Sequence, residues 1–183
     1  VHTPGCGIIP AGTAGGGSGV AAQDDPPDSP VDGTLWFETD AGVLWRWNEE
    51  LGKWLTEQLY QFDFSFGKTD EAMGLGTVPF PAVEGASSFL VDLRVLSRTD
   101  SPWLDGNDFW SAVIEKLLAD GSHSENVDFI YLNSQADVFE TESLPEAVVV
   151  TGAAVGLYLS ALKNGAPGDL TISGKLTIRA IRD

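Results

Sequence analysis

The sequence predicts an all-β chain: an extended N-terminal arm, a small aromatic β-meander, and then an antiparallel β-sandwich of the jelly-roll kind. Three observations predict it. Glycine and proline crowd residues 1–31, with seven of the 21 glycines in the first 19 positions. Four of the six tryptophans fall between Trp36 and Trp54, in short aromatic runs separated by Gly, Asp and Asn turns. From residue 59 to residue 183, apolar runs of strand length recur between turn residues, and the first of them alternates with a period of two.

The arm, residues 1–31, holds few large side chains, among them Val1, Ile8, Ile9 and Val20, and its only acidic residues are Asp24, Asp25 and Asp28. Such a stretch resists helix and sheet, and ordering it costs roughly 1–2 kcal/mol of backbone entropy per residue. Contacts from outside the arm must supply that, so the arm is expected to anchor the chain to other proteins while adding little to the stability of the body.

The meander, residues 32–58, reads as Thr34 to Glu38, a turn through Asp40-Ala41-Gly42, Val43 to Trp47, a second turn through Asn48 to Gly52, and Lys53 to Thr56. Trp36, Phe37, Trp45, Trp47 and Trp54 are expected to be structural. Three strands this short are marginal alone and need a second surface over one face.

In the sandwich, residues 59–183, Tyr60, Phe62, Phe64 and Phe66 alternate with Gln61, Asp63 and Ser65. Apolar runs follow at Ser88 to Leu96, Phe129 to Leu132, Ala147 to Val150, Val155 to Leu162 and Leu170 to Ile181. Asn164-Gly165-Ala166-Pro167-Gly168 joins the last two as a hairpin connection. The segment from Asp108 to Leu118 reads two ways. Phe109, Val113 and Leu117 are spaced four apart, as are Trp110 and Ile114, which suits a helix capped by Asp108. As a strand, the same segment buries Trp110, Ala112 and Ile114.

Charge and composition narrow the function. The chain has 183 residues, with 27 Asp+Glu against ten Lys+Arg, a formal charge of −17. That argues against the phosphate backbone of nucleic acid and against an anionic membrane surface as partners. No apolar run approaches 18 residues, so no membrane insertion is expected. The single Cys6 permits neither an intrachain disulfide nor a cysteine metal cluster, and His2 and His123 leave little for acid–base chemistry. The counts favour a binding or structural protein over an enzyme, with no cofactor. Gly67-Lys68-Thr69 resembles the end of a phosphate-binding loop, but Phe62 stands where that loop needs glycine. His123 lies in a turn by composition, with no nucleophile assigned to it.

Two acidic stretches remain. Seven acids and no Lys or Arg lie between Lys116 and Lys163, which reads as a solvated face, a docking surface for a basic partner or a calcium site. Asp100, Asp105, Asn107 and Asp108 surround Pro102-Trp103 without the alternating spacing of a calcium loop. Trp103 and Trp110 flank this loop, and an exposed tryptophan beside carboxylates holds a sugar ring. Trp103, Trp110 and Asp105 are therefore the candidate glycan-binding residues; the alternative is that both indoles pack as core under the loop.

One stretch carries a resemblance. Asp28-Ser29-Pro30-Val31-Asp32-Gly33-Thr34-Leu35-Trp36-Phe37-Glu38-Thr39-Asp40-Ala41-Gly42-Val43-Leu44-Trp45-Arg46-Trp47, closing with Lys53-Trp54-Leu55, resembles a short module recurrent in tail-fibre and other virion surface proteins of tailed bacteriophages. Trp45 and Trp47 stand where that module more often has Tyr-x-Tyr or Tyr-x-Trp. The resemblance implies a non-enzymatic structural protein on the surface of a phage particle. It implies a homotrimer, contacts with other virion proteins through residues 1–31, and host attachment through a surface glycan as the alternative role. No coiled coil or β-helical shaft accompanies the module, which implies a short fibre, a head decoration protein or a baseplate or tail component rather than a long fibre.

Overall fold

A computed structural model of the chain describes residues 19–100, 108–132 and 140–183. Among these residues the structure is all-β, with thirteen strands and no helix. They are β1 (Ala21–Gln23), β2 (Leu35–Glu38), β3 (Val43–Asn48), β4 (Lys53–Thr56), β5 (Tyr60–Thr69), β6 (Met73–Pro79), β7 (Ser88–Thr99), β8 (Phe109–Leu117), β9 (His123–Leu132), β10 (Glu140–Ser143), β11 (Val148–Val150), β12 (Gly156–Asn164) and β13 (Leu170–Arg182). A nine-stranded sheet runs β1-β2-β3-β4-β13-β7-β10, with β11 also on β7 and β5 also on β13. A four-stranded sheet runs β6-β12-β8-β9. The two pack face to face as a sandwich.

Period-2 alternation decides which side chains fill it. From β13, Leu170, Ile172, Leu176 and Ile178 face inward, and Val91, Leu93 and Val95 of β7 lie beside them. The opposite sheet contributes Trp110, Ala112 and Ile114 of β8, Leu157, Leu159 and Ala161 of β12, and Ile130 and Leu132 of β9. All of these are at most 5% exposed.

The segment that read two ways is a strand. β8 pairs with β12 over nine positions and with β9 on its other side. A spacing of four is even as well as helical, so Phe109, Val113 and Leu117 share the outward face of a strand just as they would share a helix face. Asp108 caps no helix; its carboxylate accepts the Ala166 amide at 2.7 Å and fastens the β12–β13 turn.

The aromatic meander β2-β3-β4 forms, and its last strand pairs with β13 at Trp54↔Arg182 and Leu55↔Ile181. It is a lateral extension of the main sheet. The described part of the arm also joins it: β1 lies parallel to β2, with Ala21 opposite Trp36, and the Thr39 hydroxyl bonds the Asp24 carboxylate.

Gly174 marks the tightest point of the sandwich. A Cβ there would stand 2.5 Å from the Phe64 ring and 2.7 Å from the Arg94 carbonyl oxygen. The oxygen belongs to the backbone of β7 and has no room to yield. Gly174→Ala is expected to lower stability by about 1–3 kcal/mol through overpacking, read as a shift in the urea midpoint. Gly67→Ala, at an exposed position with open space around it, is the control and should shift it little.

Candidate functional site

The aromatic module is built around a buried carboxylate. Trp36 and Trp45 are fully buried and stack with ring centroids 6.3 Å apart, while Trp54 meets Trp36 edge-on at 5.4 Å and Trp47 at 5.3 Å. Glu38, 3% exposed, lies on the same face and accepts the Trp45 indole N–H at 2.9 Å. The Arg182 guanidinium binds the other Glu38 oxygen and sits 4.9 Å over the Trp36 ring. Trp36 donates its own N–H to the Gln23 carbonyl of β1 at 2.8 Å. Every polar atom of this cluster that the burial cuts off from water is thus paired, as buried charge requires. The rings Trp36, Trp45 and Trp54 are enclosed, and Phe37 on the opposite face is 38% exposed.

The three residues singled out for glycan binding do not assemble as a described platform. Trp103 and Asp105 lie outside the described residues. Trp110 is fully buried in the sandwich core, and its N–H is taken by the Gly168 carbonyl at 3.0 Å. It presents no face to a ligand, because the period-2 pattern of β8 turns it inward beside Ala112 and Ile114.

The acidic loop is partly neutralised. Lys68, from the Gly67-Lys68-Thr69 stretch, bonds the Asp100 carboxylate and lies 3.0 Å from that of Asp169. These carboxylates, Asp100 first, hold the Lys68 ammonium above its ordinary pKa. With Asp108 engaged by Ala166, neither described acid of that loop stands open, and among the described residues no cluster of three metal-ligating side chains occurs. His123 begins β9 rather than sitting in a turn. Its ring stacks on Tyr158 at 4.1 Å, with Nδ1 3.1 Å from Glu115.

Three concavities open where sequence reading found nothing. One of about 390 Å³ lies between Tyr60 and Phe62 of β5 and the Val78-to-Ala82 stretch. A second of about 650 Å³ shares Tyr60 and Ala82 with it and reaches Phe37 and the β2–β3 turn. The third, about 230 Å³, lies on the outer face of the nine-stranded sheet and is lined by Leu59, Leu90, Asp92, Ala147, Thr177 and Arg179. Its residues come from four separated stretches of chain, joined by strand register alone.

Removing the buried carboxylate should loosen the whole wing. Glu38→Ala strands the Trp45 N–H and the Arg182 guanidinium together, an expected loss of about 2–4 kcal/mol, below the roughly 3–5 of a fully buried pair because Arg182 reaches solvent. Glu38→Gln keeps an acceptor for Trp45 and should lose less. Equilibrium denaturation followed by tryptophan fluorescence measures both.

No protein-family model and no curated protein matches the sequence. Among solved structures, the chain is similar to that of the infectious bursal disease virus Gx strain, with 13% identity, a TM-score of 0.46, and coverage of 67% of this chain and 32% of that one. It is also similar to the CBM22-1 xylan-binding domain from Paenibacillus barcinonensis Xyn10C, with 10% identity, a TM-score of 0.35, and coverage of 67% and 94%. A third similarity is to Bacillus endospore appendages described as disulfide-linked pili, with 11% identity, a TM-score of 0.30, and coverage of 72% and 91%. The chain spans about a third of the length of the viral chains it matches.

Proposed function

We propose that this chain is a non-enzymatic structural protein of a virus-particle surface, of the tailed-bacteriophage kind, which projects a β-sandwich outward and is anchored through its N-terminal arm. The observation that carries this reading is the fate of the aromatic block. The tryptophans that make residues 28–55 resemble a virion module are spent on internal packing around Glu38, and the module extends the main sheet through β4 and β13. Its role is mechanical: it stiffens the junction between arm and sandwich.

The four-stranded sheet supports self-association as a trimer. On its outer face Phe129, Tyr131 and Leu162 are 43%, 47% and 46% exposed, and Phe109 and Phe129 pack edge-on to Tyr131 at 5.1 and 4.9 Å. A symmetric assembly covers such a face with copies of itself. The attachment role, in which the sandwich also binds a host surface glycan, is favoured by the pocket that contains Arg179 and is taken up below.

Anchoring and folding separate along the arm. Deleting residues 1–18 should leave the melting temperature nearly unchanged and abolish incorporation into particles. Deleting residues 1–31 should in addition lower the melting temperature, because it removes β1 and the carbonyl that pairs the Trp36 N–H. Complementation of a deletion phage, with occupancy read by gel densitometry of purified particles, tests this; normal occupancy of the longer truncation places the anchor in the body instead. Light scattering on the full chain should give three times 19.5 kDa, falling to the monomer mass in Tyr131→Glu/Leu162→Glu.

A further inference from the structure

The chain carries ten Lys+Arg among 27 Asp+Glu, so carboxylate partners are abundant. Nine of the ten cations use one or make another contact. Arg46 pairs with Glu57, Lys53 with Asp183, Lys68 with Asp100 and Asp169, Arg94 with Asp92, Lys175 with Asp63, and Arg182 with Glu38. Lys163 bonds the Asp70 carbonyl, and Arg98 and Lys116 are likewise engaged. Arg179, among the described residues, is the one cation with no ion pair, hydrogen bond or ring contact, and it is half-buried. Partial burial of an unpaired guanidinium is unfavourable, and a bound anion relieves it.

Its surroundings select the anion. Strand register sets Arg179 opposite Leu90 and Thr177 opposite Asp92 on the outer face of β13 and β7. Leu59 and Ala147 complete the lining, which sets three apolar side chains, with Leu90, beside a guanidinium, a hydroxyl and a carboxylate. Asp92 lies 3.5 Å from Arg94, which balances its charge and leaves it an acceptor of hydroxyl protons. The volume of about 230 Å³ is below the range of roughly 300–1,000 Å³ that holds a drug-sized ligand. One six-membered ring fits that scale.

We propose that this pocket binds a sugar ring that bears a carboxylate, as in a uronic or sialic acid residue of a surface polysaccharide. The carboxylate meets the Arg179 fork in two parallel hydrogen bonds, whose planar geometry it matches. Ring hydroxyls donate to Asp92 and exchange a hydrogen bond with Thr177, and the C–H face of the ring rests on Leu59 and Leu90. A neutral sugar leaves the guanidinium unpaired. A dianionic sugar phosphate is repelled by Asp92 more than a monoanionic carboxylate is. The inference deepens the attachment role proposed above and rests on it for the source of the sugar.

Titration of the full chain with sodium glucuronate, N-acetylneuraminic acid, glucose, glucose 6-phosphate and sodium acetate, followed by NMR shifts of the Arg179 side-chain N–H and the Thr177 amide, tests it. The two acidic sugars should bind about 10- to 100-fold tighter than glucose, the range a charge-assisted hydrogen bond supplies, and tighter than acetate. Their relative affinities distinguish the two sugar classes. Arg179→Gln should abolish that preference at an unchanged melting temperature, Arg179→Lys should restore part of it, and Arg46→Gln should leave it intact. Equal binding of glucose and glucuronate, glucose 6-phosphate as the preferred ligand, acetate binding as well as the sugars, or an unaffected Arg179→Gln each overturns the site. Adsorption of the wild-type chain to host cells is scored separately. Wild-type adsorption without any preference for the acidic sugars overturns the site while the attachment role stands, and acidic-sugar binding without adsorption supports the site while the attachment role fails.

Discussion

β13 pairs with β7 along twelve positions on one side and with β5 and then β4 on the other, and the rest of the structure depends on that double pairing. One face of β13 supplies the central row of the core through Leu170, Ile172, Leu176 and Ile178. Its other face carries Thr177 and Arg179 into the outer pocket. Its end delivers Arg182 to Glu38 and Ala180 to the tryptophan cluster. Sandwich, aromatic wing and candidate ligand site are thus set by the register of a single strand. A slip of one residue would turn Arg179 inward and Ile178 to solvent, so the buried row enforces the register strongly.

The second organising element is Glu38. A carboxylate that is 3% exposed is tolerated because two donors reach it, the Trp45 indole from seven residues away and the Arg182 guanidinium from 144. Val83, Ala86 and Phe89 cover the tryptophans beside it, and Phe80 stacks on Phe89 at 4.1 Å. The β6–β7 connection therefore acts as the second surface that a short meander needs. Such a network fixes the angle of the wing more specifically than apolar packing alone.

Much of the fold was legible because it rests on local signals. Alternation at Tyr60 to Phe66 and from Leu170 onward marks strands directly, and glycine turns at Gly42 and Gly52, both at positive φ, bound the meander. The segment Phe109–Leu117 was not, since a spacing of four satisfies both periods and only pairing on two sides decides between them. The candidate site was not legible beyond the alternation of β13, which leaves Thr177 and Arg179 on the face opposite Ile172, Leu176 and Ile178. Which residues of β7, the β4–β5 connection and the β10–β11 connection stand beside Arg179 depends on register between stretches up to about 120 residues apart, and no local pattern encodes that. Trp110 read both as a ligand platform and as core, and the structure takes the core reading: it is buried on the same face as Ala112 and Ile114, and the Gly168 carbonyl, 58 residues away, accepts its N–H.

The position of β13 in the chain has a kinetic consequence. It is the last of the thirteen strands to be synthesised, yet it lies between strands made long before it, and Arg182 is 144 residues from Glu38. Until it emerges, β7 offers one open edge and β4 and β5 another, and the wing lacks its strand pairing to the sandwich. Loop closure over such separations is slow, and unpaired edges with exposed valines and leucines invite pairing with other nascent chains. Assembly of the native sheet is therefore post-translational in character, with β13 closing the gap in a late step. The ion pairs of Arg182 and Asp183 at its far end latch that closure once it has occurred.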